Sequence, residues 1–125
     1  MTSGAGNRRK GHQFERDIAT ELRAIGFTGA ERELDTGKGD IQGVPGLHIE
    51  CKNLQSFAEA VNVGLLQGEL QAEGKPFIII AKRRGKHARE AVVCVPLRKL
   101  PLLLHWAASR NQAYIPYRRE KGALL

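Results

Sequence analysis

Three ionisable side chains fall close together in one stretch: Asp40, then nine residues, then Glu50 and Lys52 on either side of Cys51. Glu50 and Lys52 are two apart, so on a strand they share a face. Residues 47–53 alternate as a strand requires, with Leu47, Ile49 and Cys51 pointing one way and His48, Glu50 and Lys52 the other. The turn signal Val44-Pro45-Gly46 precedes them. A hairpin closing there places Asp40 on the first strand beside Glu50 on the second. Two carboxylates about 4 Å apart repel by roughly 4 kcal/mol at an effective dielectric near 20, unless something cationic sits between them. Lys52 offsets part of that repulsion. A divalent metal offsets it more fully, since a carboxylate pair completed by water and phosphate oxygens is the usual way a protein holds Mg²⁺. The competing reading is a salt-bridged sheet surface, with Lys52 paired to Glu50 or Asp40 and no metal.

The elements around these residues supply a third acid. Residues 12–25 carry Phe14, Ile18, Leu22 and Ile25 at spacings of three and four, which predicts an amphipathic helix stopped by Gly26. Glu15 lies on the edge of that apolar stripe and would join Asp40 and Glu50. Two short strands are expected around residues 30–34 and 39–44. Residues 56–73 predict a second helix, capped by Ser56, with Phe57, Val61, Leu65 and Leu66 as its apolar stripe. Gly64 and Gly68 permit it to pack closely on a sheet. The string PFIIIAK, residues 76–82, reads as a strand covered on both faces. Residues 90–95 form a further strand, and Pro101 opens a helix that carries Trp106, expected in the core. The order predicts an α/β fold, a central mixed sheet flanked by helices. Residues 1–9, small and polar, are expected to form a flexible basic arm, and residues 10–125 a single domain.

Charge indicates the partner. The 125 residues hold 20 Lys and Arg against 13 Asp and Glu, a net charge of +7 that favours a polyanion. The cations cluster at Arg8, Arg9 and Lys10, at Lys82, Arg83, Arg84, Lys86 and Arg89, and at Arg118, Arg119 and Lys121. A basic surface kept for solubility is the bland alternative. No apolar run suffices for a membrane span, and no apolar stretch follows the basic N-terminus as a secretory signal would require. A cytoplasmic or nucleoid-associated protein is therefore expected, with Cys51 and Cys94 as reduced core thiols. Zinc-ligand spacing, GxGxxG and P-loop patterns are absent.

The string Asp40-(nine residues)-Glu50-Cys51-Lys52 resembles the signature of the PD-(D/E)XK nuclease superfamily. The upstream run Arg9-Lys10-Gly11-His12-Gln13-Phe14-Glu15-Arg16, leading to Leu22 and Gly26-Phe27, resembles the start of archaeal-type Holliday-junction resolvases, and Arg32 falls where those proteins often carry Arg. Residues 8–82 carry the resemblance. Gly39 stands in place of the proline that names the superfamily, only Thr36 offers the hydroxyl expected before the Asp, and residues from about 98 onward find no counterpart. The resemblance implies a restriction-endonuclease-like core and a metal-dependent DNA endonuclease. Its catalytic set is Glu15, Asp40, Glu50 and Lys52. Glu15, Asp40 and Glu50 hold Mg²⁺ or Mn²⁺, and Lys52 serves the attacking water or the phosphate. Branched or four-way DNA is the expected substrate, contacted by Arg8, Arg9, Lys10, Lys38, Lys82, Arg83, Arg84 and Lys86. A symmetric pair of nicks calls for a homodimer, for which Leu97, Leu100, Leu102, Leu103, Leu104 and Trp106 supply an apolar surface. The alternatives are a restriction-like or nicking endonuclease on duplex DNA and a non-catalytic nucleic-acid-binding module. Gln67 or Gln71 matches a helix glutamine that some of these nucleases place near the site, but a solvated helix surface is the favoured expectation. His48 is expected as a neighbouring DNA contact or a partly exposed sheet residue, with general base as its other reading. Tyr114 and Tyr117, among Arg110, Arg118 and Arg119, either stack on bases or anchor the tail.

Overall fold

The computed structural model describes residues 4–34 and 40–110. Lys38, Thr36, Gly39, Tyr114, Tyr117, Arg118, Arg119 and Lys121 lie outside them. Helix α1 runs Gly4–Ala24, strands β1 and β2 are Glu31–Arg32 and Ile41–Gln42, and β3 is His48–Lys52. Helix α2 spans Phe57–Gln71, β4 Phe77–Ala81 and β5 Val92–Cys94, and α3 Leu100–Ser109 closes the described chain. Short 3₁₀ turns at Ala88–Glu90 and Leu97–Lys99 flank β5.

The fold is α/β with a mixed three-stranded sheet in the order β3-β4-β5. β3 and β4 are parallel, with Glu50 opposite Ile79 and Lys52 opposite Ala81, and α2 is the crossover between them. β5 returns antiparallel along β4. Every residue of β4 is buried, as an uninterrupted apolar strand demands.

The two faces of the sheet are covered by different helices. Phe14 and Ile18 of α1 pack with Ile49, Cys51, Ile78 and Ile80. Ala60 of α2 packs with Phe77, Ile79 and Ala81 on the other face, with Val61 and Leu65 alongside. Of the expected stripe Val61 and Leu65 pack on the sheet, but the residues of α2 buried most fully are smaller. Ala60, Gly64 and Gly68 are its buried residues, whereas Leu66 is 62% exposed and Phe57 38%. A Cβ on Gly64 would come within 2.5 Å of Ile79, and one on Gly68 within 2.4 Å of Phe77. The bulk that fills this interface comes from the strand, and the helix supplies hollows for it. Ser56 caps α2 as expected, its hydroxyl accepting from Glu59 N–H at 3.2 Å.

Two further expectations are corrected. α1 begins at Gly4, so Arg8, Arg9 and Lys10 ride on its first turns, and residues 4–9 are helix where an arm was expected. β3 presents no solvent face: His48 and Glu50 are as buried as Ile49 and Cys51. Their polar face lies beneath α2, so the alternation in the sequence separates two interiors.

Candidate active site

Asp40 is tied to β3 by main-chain bonds. Its N–H donates to the Ile49 carbonyl at 2.8 Å, and its carbonyl accepts from Glu33 N–H at 2.9 Å. β2 itself pairs with β1 in antiparallel register. The expected hairpin of β2 with β3 is therefore reduced to this junction at Asp40, which still brings the carboxylate alongside the strand. Asp40 Oδ2 accepts from Cys51 N–H at 2.7 Å.

Glu50 lies on the α2 face of β3 and is 1% exposed. Lys52 Nζ stands 3.6 Å from Glu50 Oε1 and 3.9 Å from Asp40 Oδ2, so one ammonium serves both carboxylates. Lys52 Nζ also donates to Gln67 Oε1 of α2. Gln67 is thus drawn into the cluster, against the surface role expected for it. The signal was its neighbours: Gln67 sits between Gly64 and Gly68, on the helix face that meets the sheet. His48 is likewise displaced from its expected place. It is 6% exposed, and its Nε2 meets Glu50 Oε2.

Burial and crowded acids set the electrostatics of the cluster. Burial pushes the Asp40 carboxyl above its ordinary value, and the nearby Glu50 charge pushes it further. The Cys51 N–H and Lys52 pull the other way without cancelling these effects. Burial, followed by the charges of Asp40, Glu15 and Glu50, pushes the Cys51 thiol well up. The thiol is therefore neutral and unfit as a nucleophile. A pair of adjacent carboxylates that one lysine does not fully neutralise fits a hard divalent cation.

Glu15 reaches this region from the opposite side. α1 covers the Cys51 face of β3, whereas Glu50 and Lys52 project towards α2. Glu15 Oε1 accepts from Arg32 Nε at 3.0 Å. Among the described residues no group of three His, Cys, Asp or Glu is assembled to hold a metal. The structure therefore brings together Asp40, Glu50 and Lys52, adds Gln67 and His48, and holds Glu15 at their margin on Arg32.

A basic cleft opens beyond the end of β3, on the side of α1. The Lys82 N–H donates to the Lys52 carbonyl at 3.0 Å, so the chain leaving β4 runs beside the end of β3. From there Lys82 and Lys86, with Lys10 of α1, line a cavity of about 560 Å³ that also takes in Gln13, Asp17 and Asn53. A second cavity of about 440 Å³ shares Lys10, Asn53 and Lys82 and adds Gln55 and Arg84. Arg8, Arg9 and Arg83 are exposed but line neither cavity. The amides Gln13, Asn53 and Gln55 were not anticipated. Asn53 and Gln55 stand where a parallel strand ends and its crossover helix begins, the usual site of ligand contacts in α/β sheets.

Trp106 is half-buried and not in the core. Its indole N–H donates to the Pro45 carbonyl at 2.8 Å, and its ring lies 6.3 Å from that of Phe27. It fastens α3 over the turn before β3. No family model, curated protein or solved structure matches the chain.

Proposed function

We propose that this protein is a metal-dependent endonuclease that hydrolyses DNA phosphodiester bonds. The observation that carries the reading is the convergence of Asp40 and Glu50 on the Lys52 ammonium, on a strand whose next residue, Asn53, lines cavities shared with Lys10, Lys82, Arg84 and Lys86. A solubility surface has no need of two partly desolvated carboxylates beside its cations, because that arrangement costs stability. A binding module has no need of them either, since acids weaken the hold on phosphate.

In this reading Asp40 and Glu50 would hold the cation, Mg²⁺ or Mn²⁺. A divalent cation there supplies the Lewis acidity that polarises a phosphoryl oxygen and acidifies the attacking water. The protein's own groups do the rest. Lys52 holds its ammonium beside both acids and adds positive charge where the transition state becomes more negative. Gln67 restrains Lys52 from the α2 side, so the ammonium is aimed before substrate arrives. Glu15, on Arg32, stands at the margin of the site, where it can orient water. The cleft cations bind the flanking phosphates and set the register of the strand.

The preferred substrate in this proposal is branched DNA, cut by a homodimer. The apolar side chains exposed along the β5–α3 side, Val93, Leu97 and Leu104, are the surface assigned to the partner copy. Cleavage of a four-way junction and of linear duplex with the same sequence, each titrated with Mg²⁺, tests both parts. Junction cleavage in preference to duplex supports a resolvase, and equal cutting of duplex supports the restriction-like or nicking alternative. DNA binding without cleavage at any metal concentration refutes the enzyme.

A further inference from the structure

The proposed chemistry gives no role to His48, the partner of Glu50. Both are buried, with side chains only 4% and 1% exposed, and the imidazole Nε2 meets Glu50 Oε2. A histidine so enclosed cannot reach DNA, and its Nε2 is turned to the acid. Against an ionised Glu50, which can only accept, Nε2 would be the donor of this contact.

We infer that His48 is a positioning residue that fixes Glu50 as a one-oxygen ligand for the divalent cation. The inference rests on the metal site proposed above. Glu50 has two oxygens and two neighbours. Oε2 is engaged by His48, and Oε1 faces Lys52 at 3.6 Å, on the side where Asp40 approaches the same ammonium. With Oε2 held, the carboxylate cannot rotate to offer both oxygens, and the oxygen left for a cation is Oε1, which faces the ammonium that Asp40 also approaches. Strand geometry secures the pairing, because residues two apart project from the same face. The face is closed above them by α2, whose Gly68 lies against Phe77, the strand neighbour of His48. Partners that orient a ligating carboxylate in this way typically change metal affinity about 10- to 100-fold when removed.

The test is Mn²⁺ binding to the DNA-free protein, followed by calorimetry. Three proteins are compared: wild type, His48→Gln, whose amide nitrogen replaces Nε2 as donor, and His48→Leu, which fills the space without a donor. The expected result is wild-type affinity for His48→Gln and affinity about 10- to 100-fold weaker for His48→Leu. A merely structural role would make the two variants alike. Equal Mn²⁺ affinity in wild type and His48→Leu overturns the positioning role while leaving the metal site intact. Absence of Mn²⁺ binding in wild type overturns the site and this inference together. Should His48→Leu lose its cooperative melting transition, His48→Gln decides: retained affinity supports the inference and weakened affinity overturns it.

Discussion

Replacing Gly68 by Ala tests the contact on which the site's geometry depends. In an exposed helix this change stabilises by about 1 kcal/mol, because alanine is the better helix former. Here the added methyl would lie 2.4 Å from both Cδ2 and Cε2 of Phe77, about 1 Å inside normal carbon contact distance. Phe77 is 1% exposed and has no room to withdraw, so α2 must lift. Overpacking of this kind costs about 1–3 kcal/mol. A clash with two atoms of a rigid ring belongs at the upper end, leaving a net loss of about 2 kcal/mol after the helical gain. For a chain of this length that lowers Tm by roughly 6–10 °C. Lifting α2 also draws Gln67 off Lys52. A displacement near 1 Å at a reacting centre can cost about 100-fold in rate, so cleavage should fall well beyond what the loss of stability explains. Thermal melting and cleavage kinetics of Gly68→Ala are the assay. Gly11→Ala on α1, where a methyl meets nothing within 4 Å, is the control and should raise Tm. A Gly68→Ala protein as stable as Gly11→Ala, with normal cleavage, would refute the close-packed α2 and its role in placing Gln67.

Asp40→Asn should abolish cleavage yet stabilise the metal-free protein. Because the folded state raises the Asp40 pKa above 3.8, it holds that proton more tightly than the unfolded chain does. Stability contributed at this position is therefore lost as pH rises from about 3.8 through the raised value, and metal-free melts of Asp40→Asn should lack that decline. A double charge reversal, Lys82→Glu with Lys86→Glu, should weaken DNA binding and flatten the log–log salt slope by roughly 0.9 for each phosphate left without its cation. An unchanged slope would place DNA elsewhere. Leu97→Lys, at a residue 82% exposed, should convert a dimer to monomer in sedimentation; a wild type that sediments as a monomer at the same concentration would remove the assigned interface.

Much of this arrangement was legible in the sequence because its signals are local. The apolar run of β4 could only be a doubly covered strand, Ser56 is a cap by its type and place, and the spacing of Asp40, Glu50 and Lys52 survives as contacts of 3.6 and 3.9 Å. What was not legible depends on which surfaces meet. Large apolar residues on α2 read as its buried stripe, yet the sheet beneath already carried Phe77 and Ile79, so the hollows at Gly64 and Gly68 became the interface. That inversion hid Gln67, since the face that looked polar and solvated is the one that reaches Lys52. His48 was expected to contact DNA or be partly exposed, because alternation marks two sides without saying whether either meets water. Glu15 lay on a stripe edge as expected, but one helix could not reveal that its sheet face is opposite to that of Glu50.

The measurement that bears most directly on the central claim is Mg²⁺-dependent DNA cleavage by wild type beside folded Glu50→Gln and Lys52→Ala proteins. Glu50→Gln keeps the shape of the side chain while removing the charge that holds the cation, and Lys52→Ala removes the ammonium that Asp40 and Glu50 share. Cleavage by wild type alone, with DNA affinity nearly equal in all three, is the predicted result. Undiminished cleavage by a folded Glu50→Gln protein would contradict the account.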